Sequence, residues 1–205
     1  MIDSSNNLFI QPKMLAKPDK SLFIMRHGRY DLTNMIQQIQ ETGEHGDPSL
    51  SQEGVLEVQA EAEKILYMPI SLIFSSPTQR AQESGKIVSD KTGFEVECIE
   101  ELRELDMPTG DSLQRLIKDQ NHWGTNWLNQ WSGMERTEKY VERTKYALYR
   151  VLQEVSQVRT PLIIAHEETV WAVKHILQGI SLDKAIQEKV PYATVQKISV
   201  PNDAL

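Results

Sequence analysis

The chain has 205 residues, a size that suits one domain better than two. It is 40% hydrophobic and 25% charged, with a formal net charge of -7 and a pI near 5.3, ordinary values for a soluble globular protein. That balance argues against a general nucleic-acid binder, which carries a basic surface, so any anion must be met in a local basic pocket.

Cys98 is the single cysteine, which rules out an intrachain disulfide and suits a reducing compartment. Its place in the alternating piece FEVECIE predicts a small buried hydrophobe. No CxxC or HExxH spacing appears, so a structural zinc site is not expected. The N-terminus, MIDSSNNLFIQPKMLAKPDK, has no basic start followed by a long apolar stretch, as a secretory signal would. No apolar run approaches the ~18 residues of a membrane span. The expectation is a cytoplasmic protein with no membrane and no nucleic-acid partner.

Residues 1–20 are polar, broken by Pro12 and Pro18, and read as an arm ahead of a single domain over 21–205. SLFIM then forms the short apolar run of a strand buried on both faces. Residues 34–50 read as a loop with one short helix. From Ser51, a plausible cap, SQEGVLEVQAEAEKIL carries apolar residues at helical spacing, although Gly54 weakens its first turn. SLIFSSP, 71–77, is a second strand, and Pro77 is placed to open the next helix at its first position. FEVECIE, 94–100, alternates like a strand.

Residues 112–137 predict a short helix and a loop, part of a helical cover around 107–137. Trp123, Trp127 and Trp131 recur every fourth residue there. That stripe packs the cover on the domain, or lends one ring to a ligand cleft. A long helix follows over roughly 135–157. RTPLIIAHE repeats the opening theme, an apolar strand ending at a histidine. Helices over 168–178 and 181–188 and a last strand, ATVQKISV, complete the chain. Strands alternating with helices argue an α/β fold, a three-layer sandwich with a mainly parallel central sheet and helices on both faces. Such sheets bind ligands beyond the carboxyl ends of their strands. Arg26-His27, Ser75-Ser76 and His166 all stand at strand ends.

LFIMRHG, FSSPTQRAQES, ELRELD and LIIAHE occur in the order of the histidine phosphatase superfamily, the phosphoglycerate-mutase-like group. The resemblance runs from about Leu22 to Val200, and DPSLSQEG, 47–54, resembles the family's stretch before its first long helix. It implies His27 as the nucleophile, Arg26 and Arg80 as the clamp on the phosphoryl group, and His166 as a second histidine on its oxygens. It implies Glu104 as the proton donor to the leaving oxygen, with Glu101 and Asp106 as nearby competitors. It further implies a metal-free reaction with no cofactor.

Three departures from the family pattern stand out. Ala165 and Glu167 flank His166 where the family has glycine, and Glu167 either points away or narrows the phosphate pocket. Tyr30 and Thr33 stand where the family often has Thr and Asn. Thr33 then offers a hydroxyl to the substrate, or the loop shifts by one so that Asn34 does. The segment after the acid reads MPTGDS, leaving Asp111 near a family acidic position in uncertain register.

A mutase holds two phosphorylated positions. Arg115, Lys118 and Arg136 are the only basic residues of 111–137, which is thin for such a ligand. The expectation is therefore a phosphomonoester hydrolase acting through phosphohistidine on a phosphorylated small molecule, as a monomer or homodimer. The alternatives are a phosphoprotein phosphatase and a non-catalytic module that binds phosphate or phosphopeptides.

Overall fold

A computed structural model describes residues 20–43, 46–110, 125–155 and 159–201. The expected arm, apart from Lys20, lies outside the described residues, as do Asp111, Arg115, Lys118 and Trp123 of the expected cover.

The chain runs β1 (Ser21–Arg26), α1 (Leu32–Thr42), α2 (Gln52–Ile65), β2 (Leu72–Ser75), α3 (Gln79–Thr92), β3 (Val96–Cys98), α4 (Thr125–Leu128), α5 (Thr137–Gln153), β4 (Pro161–Ala165), α6 (Glu167–Gln178), α7 (Leu182–Ile186) and β5 (Val195–Ser199). A single 3₁₀ turn, Glu100–Leu102, follows β3. The sheet order is β3-β2-β4-β1-β5. Its first four strands pair in parallel, and β5 runs antiparallel on the β1 edge.

Strand alternation builds the layers. Leu22 and Ile24 of β1 face the same way as Phe74, Ile163 and Ile198, and pack with α1, α5, α6 and α7. Phe23 and Met25 face the other way with Ile73, Leu162 and Ile164, and pack with α2 and α3. The central strands are apolar on both faces because both faces are covered. Each fully buried Leu or Ile there contributes roughly 1.5–3 kcal/mol. Three layers result, with helices on both sides of a mainly parallel sheet.

Several local readings are corrected. Pro77 does not open α3, which begins at Gln79 with Thr78 at its cap. The Gln79 N–H is taken instead by the Asp47 carboxylate, at 2.8 Å to Oδ2, so the cap comes from a distant loop. β3 is shorter than 94–100, since the chain turns into the 3₁₀ segment straight after Ile99. Because β3 is an edge strand, Cys98 is exposed, not buried. The residues after Tyr30 form an eleven-residue helix, α1, whose Met35 and Ile39 reach the core. α5 spans 137–153 within the expected 135–157. Trp131 is half-buried and packs against the core.

Gly54 does more than weaken a turn. A Cβ on it would meet the Arg29 carbonyl oxygen at 2.0 Å, and one on Gly28 would meet the Gly54 oxygen at 2.6 Å. The two glycines let the β1 exit and the start of α2 touch backbone to backbone. Ser51 caps α2, its Oγ accepting from the Gly54 N–H at 3.1 Å.

Candidate active site

β1 and β4 lie side by side with Arg26 in register with Ala165, so the residues that follow them, His27 and His166, emerge together. The His27 N–H donates to the Ala165 carbonyl at 2.9 Å, and the two imidazoles meet edge to face at a centroid distance of 5.2 Å. Both rings are buried. β2 lies on the other side of β4, and its end delivers Ser76, Thr78 and Arg80.

The tautomer of His27 follows from its contacts. Nδ1 lies 2.7 Å from the Gly28 carbonyl oxygen, which only accepts, so Nδ1 carries the proton. The Nε2 lone pair accepts from Arg80 Nε at 3.1 Å. Burial and then the cations of Arg80 and Arg26 hold the His27 pKa well below its ordinary value, so the ring is neutral at neutral pH. A neutral imidazole with an oriented lone pair is a nucleophile once Arg80 turns from it to the phosphoryl group.

Arg80 is buried at 1% exposure, yet every arm of its fork is engaged. Besides His27 it donates from Nη1 to Asp47 at 3.1 Å and from Nη2 to Glu104 at 2.5 Å. Those bonds explain how a guanidinium is tolerated in the interior. Arg26 is held by Glu167 at 2.8 Å and by the Val190 carbonyl at 3.0 Å, both on Nη1, while its Cζ lies 3.8 Å from the centre of the Tyr192 ring. Glu167 thus turns to the Arg26 fork, which settles where its carboxylate goes. Ala165 is accommodated as a core residue at the end of β4.

His166 contacts Ser76 Oγ at 2.8 Å through Nε2. Its Nδ1 is buried with no hydrogen-bond partner and lies 3.7 Å from Glu104 Oε1. Arg26 Nε is likewise buried and unpartnered. Two buried polar atoms of the cluster are therefore without a hydrogen-bond partner. Burial, and then neighbouring His27, Arg80 and Arg26, also lower the His166 pKa well below normal.

Of the three carboxylates considered in ELRELD, Glu104 reaches Arg80, Asp106 pairs with Arg103, and Glu101 offers its backbone carbonyl to Arg143. Thr33 is exposed on the first turn of α1 and shares no described contact with these groups.

Sequence reasoning assigned no role to Asp47, Tyr30, Tyr192, Arg143 or Glu168. Asp47 sits in the quoted DPSLSQEG and had a signal. Tyr192 and Arg143 gave none, because they arrive from distant elements. Glu168 is half-buried beside Thr137, Tyr140 and Trp171, and burial followed by the Glu104 charge pushes its pKa up to about 7.

The sequence pattern of the "Histidine phosphatase superfamily (branch 1)" matches residues 22–204. The chain belongs to that superfamily. A protein named "Putative phosphoserine phosphatase 2", from Hydrogenobacter thermophilus, is 26% identical over 171 residues, covering 80% of this chain and 81% of its own. A 2,3-bisphosphoglycerate-dependent phosphoglycerate mutase of Bartonella tribocorum is 24% identical over 187 residues, 83% of this chain and 87% of its own. Among solved structures, Bacillus stearothermophilus YhfR superposes with a TM-score of 0.71 at 20% identity, covering 89% of this chain and 92% of that one. A mycobacterial glucosyl-3-phosphoglycerate phosphatase gives 0.68 at 20% identity, covering 87% and 89%. At that identity the structures share the fold.

Proposed function

We propose that the protein is a phosphomonoester hydrolase that works through a phosphohistidine at His27 on a small phosphorylated metabolite in the cytoplasm. The observation that carries the reading is the His27 tautomer, fixed by Gly28 and aiming its lone pair at the Arg80 fork.

The phosphoryl group is received by Arg26 and Arg80, whose forks match phosphate oxygens. The unpartnered Arg26 Nε and His166 Nδ1 supply two further contacts. His27 Nε2 attacks phosphorus, the bond from phosphorus to the ester oxygen breaks, and Glu104 gives its proton to that oxygen as the alcohol leaves. Water then attacks the phosphohistidine and Glu104 takes the proton back. Inorganic phosphate departs and His27 is restored. The arginines face the charge that spreads over the equatorial oxygens, so the scheme needs no metal ion.

Phosphate release from para-nitrophenyl phosphate in EDTA tests the reading. Wild-type turnover that His27→Ala abolishes supports it. Equal turnover by the variant, or dependence on added magnesium, would count against it.

A further inference from the structure

A cavity of about 560 Å³ opens beside the phosphoryl site and shares Asp47, Arg80 and Glu104 with it. On the proposed chemistry this is where the departing alcohol sits, since Glu104 lines both. On the phosphoryl side of Glu104, the buried His166 Nδ1 has no hydrogen-bond partner and lies 3.7 Å from Glu104 Oε1.

The charge of this cavity is lopsided. Asp47, Glu100 and Asp106 bring three carboxylates to its wall beside Glu104, which holds the proton for the leaving oxygen, and Arg80 and Arg103 bring two guanidiniums. Neither cation is spare. Arg80 is taken by the phosphoryl group, and Arg103 is spent on Asp106, from Nε at 3.3 Å and Nη2 at 3.4 Å. When Arg80 turns to the phosphate, Asp47 loses its guanidinium partner and keeps the N–H at the start of α3. Glu100 is exposed on the 3₁₀ turn and takes part in no ion pair among the described residues. Pro77, Leu105 and Met107 give the wall an apolar part, beside Thr78 and Thr109.

We infer that the substrate is a phosphomonoester whose alcohol portion carries a cationic group, an ammonium on a short apolar or aromatic body, and that a second anionic group is rejected. This rests on the hydrolase reading above and specifies its substrate class. Two negative charges brought within about 4–6 Å of each other in a cleft open to water repel by several-fold in an equilibrium constant, and an opposite charge gains as much. The phosphate subsite is cationic and the alcohol subsite anionic, so a zwitterionic ester is matched at both ends.

Three esters of similar size and different charge test this: para-aminomethylphenyl, para-hydroxymethylphenyl and para-carboxyphenyl phosphate, compared by kcat/KM with the intact protein. The expected order is cation, neutral, anion, with about tenfold between the extremes, and the spread narrows at about 0.5 M salt as screening sets in. Glu100→Gln should reduce the ratio of kcat/KM for the cationic ester to that for the neutral one roughly threefold. An anionic ester turned over as well as the cationic one, or a preference that Glu100→Gln and salt leave untouched, overturns the inference while the hydrolase reading stands. No turnover of any of the three overturns both.

Discussion

The guanidinium of Arg143 donates from Nη2 to the backbone carbonyl of Glu104 at 2.8 Å. The same side chain donates from Nη1 to the carbonyls of Glu101 and Arg103, each at 2.8 Å, and pairs with Glu135 at 2.6 Å. A residue of α5 therefore pins the loop that presents Glu104, the proposed acid, without touching the pocket. Arg143→Lys keeps the charge but loses the fork. We expect a kcat loss that grows with the pKa of the leaving alcohol, about tenfold or more for an alkyl ester and little for para-nitrophenyl phosphate, which departs unprotonated. Glu104→Gln should show the same split more steeply. A uniform loss across leaving groups would place Arg143 outside the acid's support.

Tyr192 lies under Arg26 in much the same indirect role. Arg26 and Tyr192 form an isolated bridge, and the Ala193 N–H donates to the Arg26 carbonyl at 3.0 Å although Ala193 holds a φ of 43°. That left-handed backbone is one L-residues seldom adopt, and the surrounding bonds keep it there. Tyr192→Phe retains the ring beneath the guanidinium, whereas Tyr192→Leu removes it. KM for a phosphate ester should rise roughly three- to tenfold in the leucine variant and hardly move in the phenylalanine variant. Equal effects would shift the role from the ring to the hydroxyl.

Gly28 is fixed by packing, since its missing Cβ makes room for the Gly54 oxygen and for Val58 Cγ2 at 2.7 Å. Gly28→Ala should cost about 1–3 kcal/mol of stability, as overpacking does, with denaturant unfolding as the measurement. Ser84, which receives the Gly28 N–H at 3.1 Å and donates to the Arg80 carbonyl at 2.7 Å, ties this turn to α3.

The legible part of the site was the part written in contiguous motifs. RHG, SSPTQRAQES and AHE each end a strand, and a parallel sheet brings such ends to one edge, so His27, Arg80 and His166 could be named before their neighbours. Asp47 lies in the quoted DPSLSQEG, in a loop before α2, whereas Tyr192 and Arg143 lie outside every quoted motif, in the turn before β5 and the body of α5. Nothing local in the sequence of those two carries their place beside the site. The layers were legible from the apolar runs, while Cys98 and Pro77 were misplaced because the edge position of β3 and the capping of α3 by Asp47 are tertiary facts.

Stability should respond to pH in two opposed ways. His27 and His166 have pKa values lowered in the folded state, so unfolding takes up protons. Their contribution is present above about pH 6.5, the ordinary histidine value, and is lost as pH falls below it. Glu168 is raised to about 7, so it opposes folding increasingly as pH climbs from the ordinary carboxylate value, 4.5, to about 7. Thermal unfolding across pH should show His27→Asn and His166→Asn flattening the acid-side loss. Glu168→Gln should raise the melting temperature by a few degrees above pH 7 and leave it unchanged at pH 4. A Glu168→Gln gain of equal size at both ends would show that its charge is not the cause.

The most direct test of the central claim is a rapid quench of the wild-type protein with a phosphate ester, followed by mapping of any acid-labile phosphate on the chain. The account predicts a single phosphorylated residue, His27, formed and consumed within a turnover and missing from His27→Asn. Phosphate release with no phosphorylated His27 at any time, or a phosphate on another residue, would contradict it.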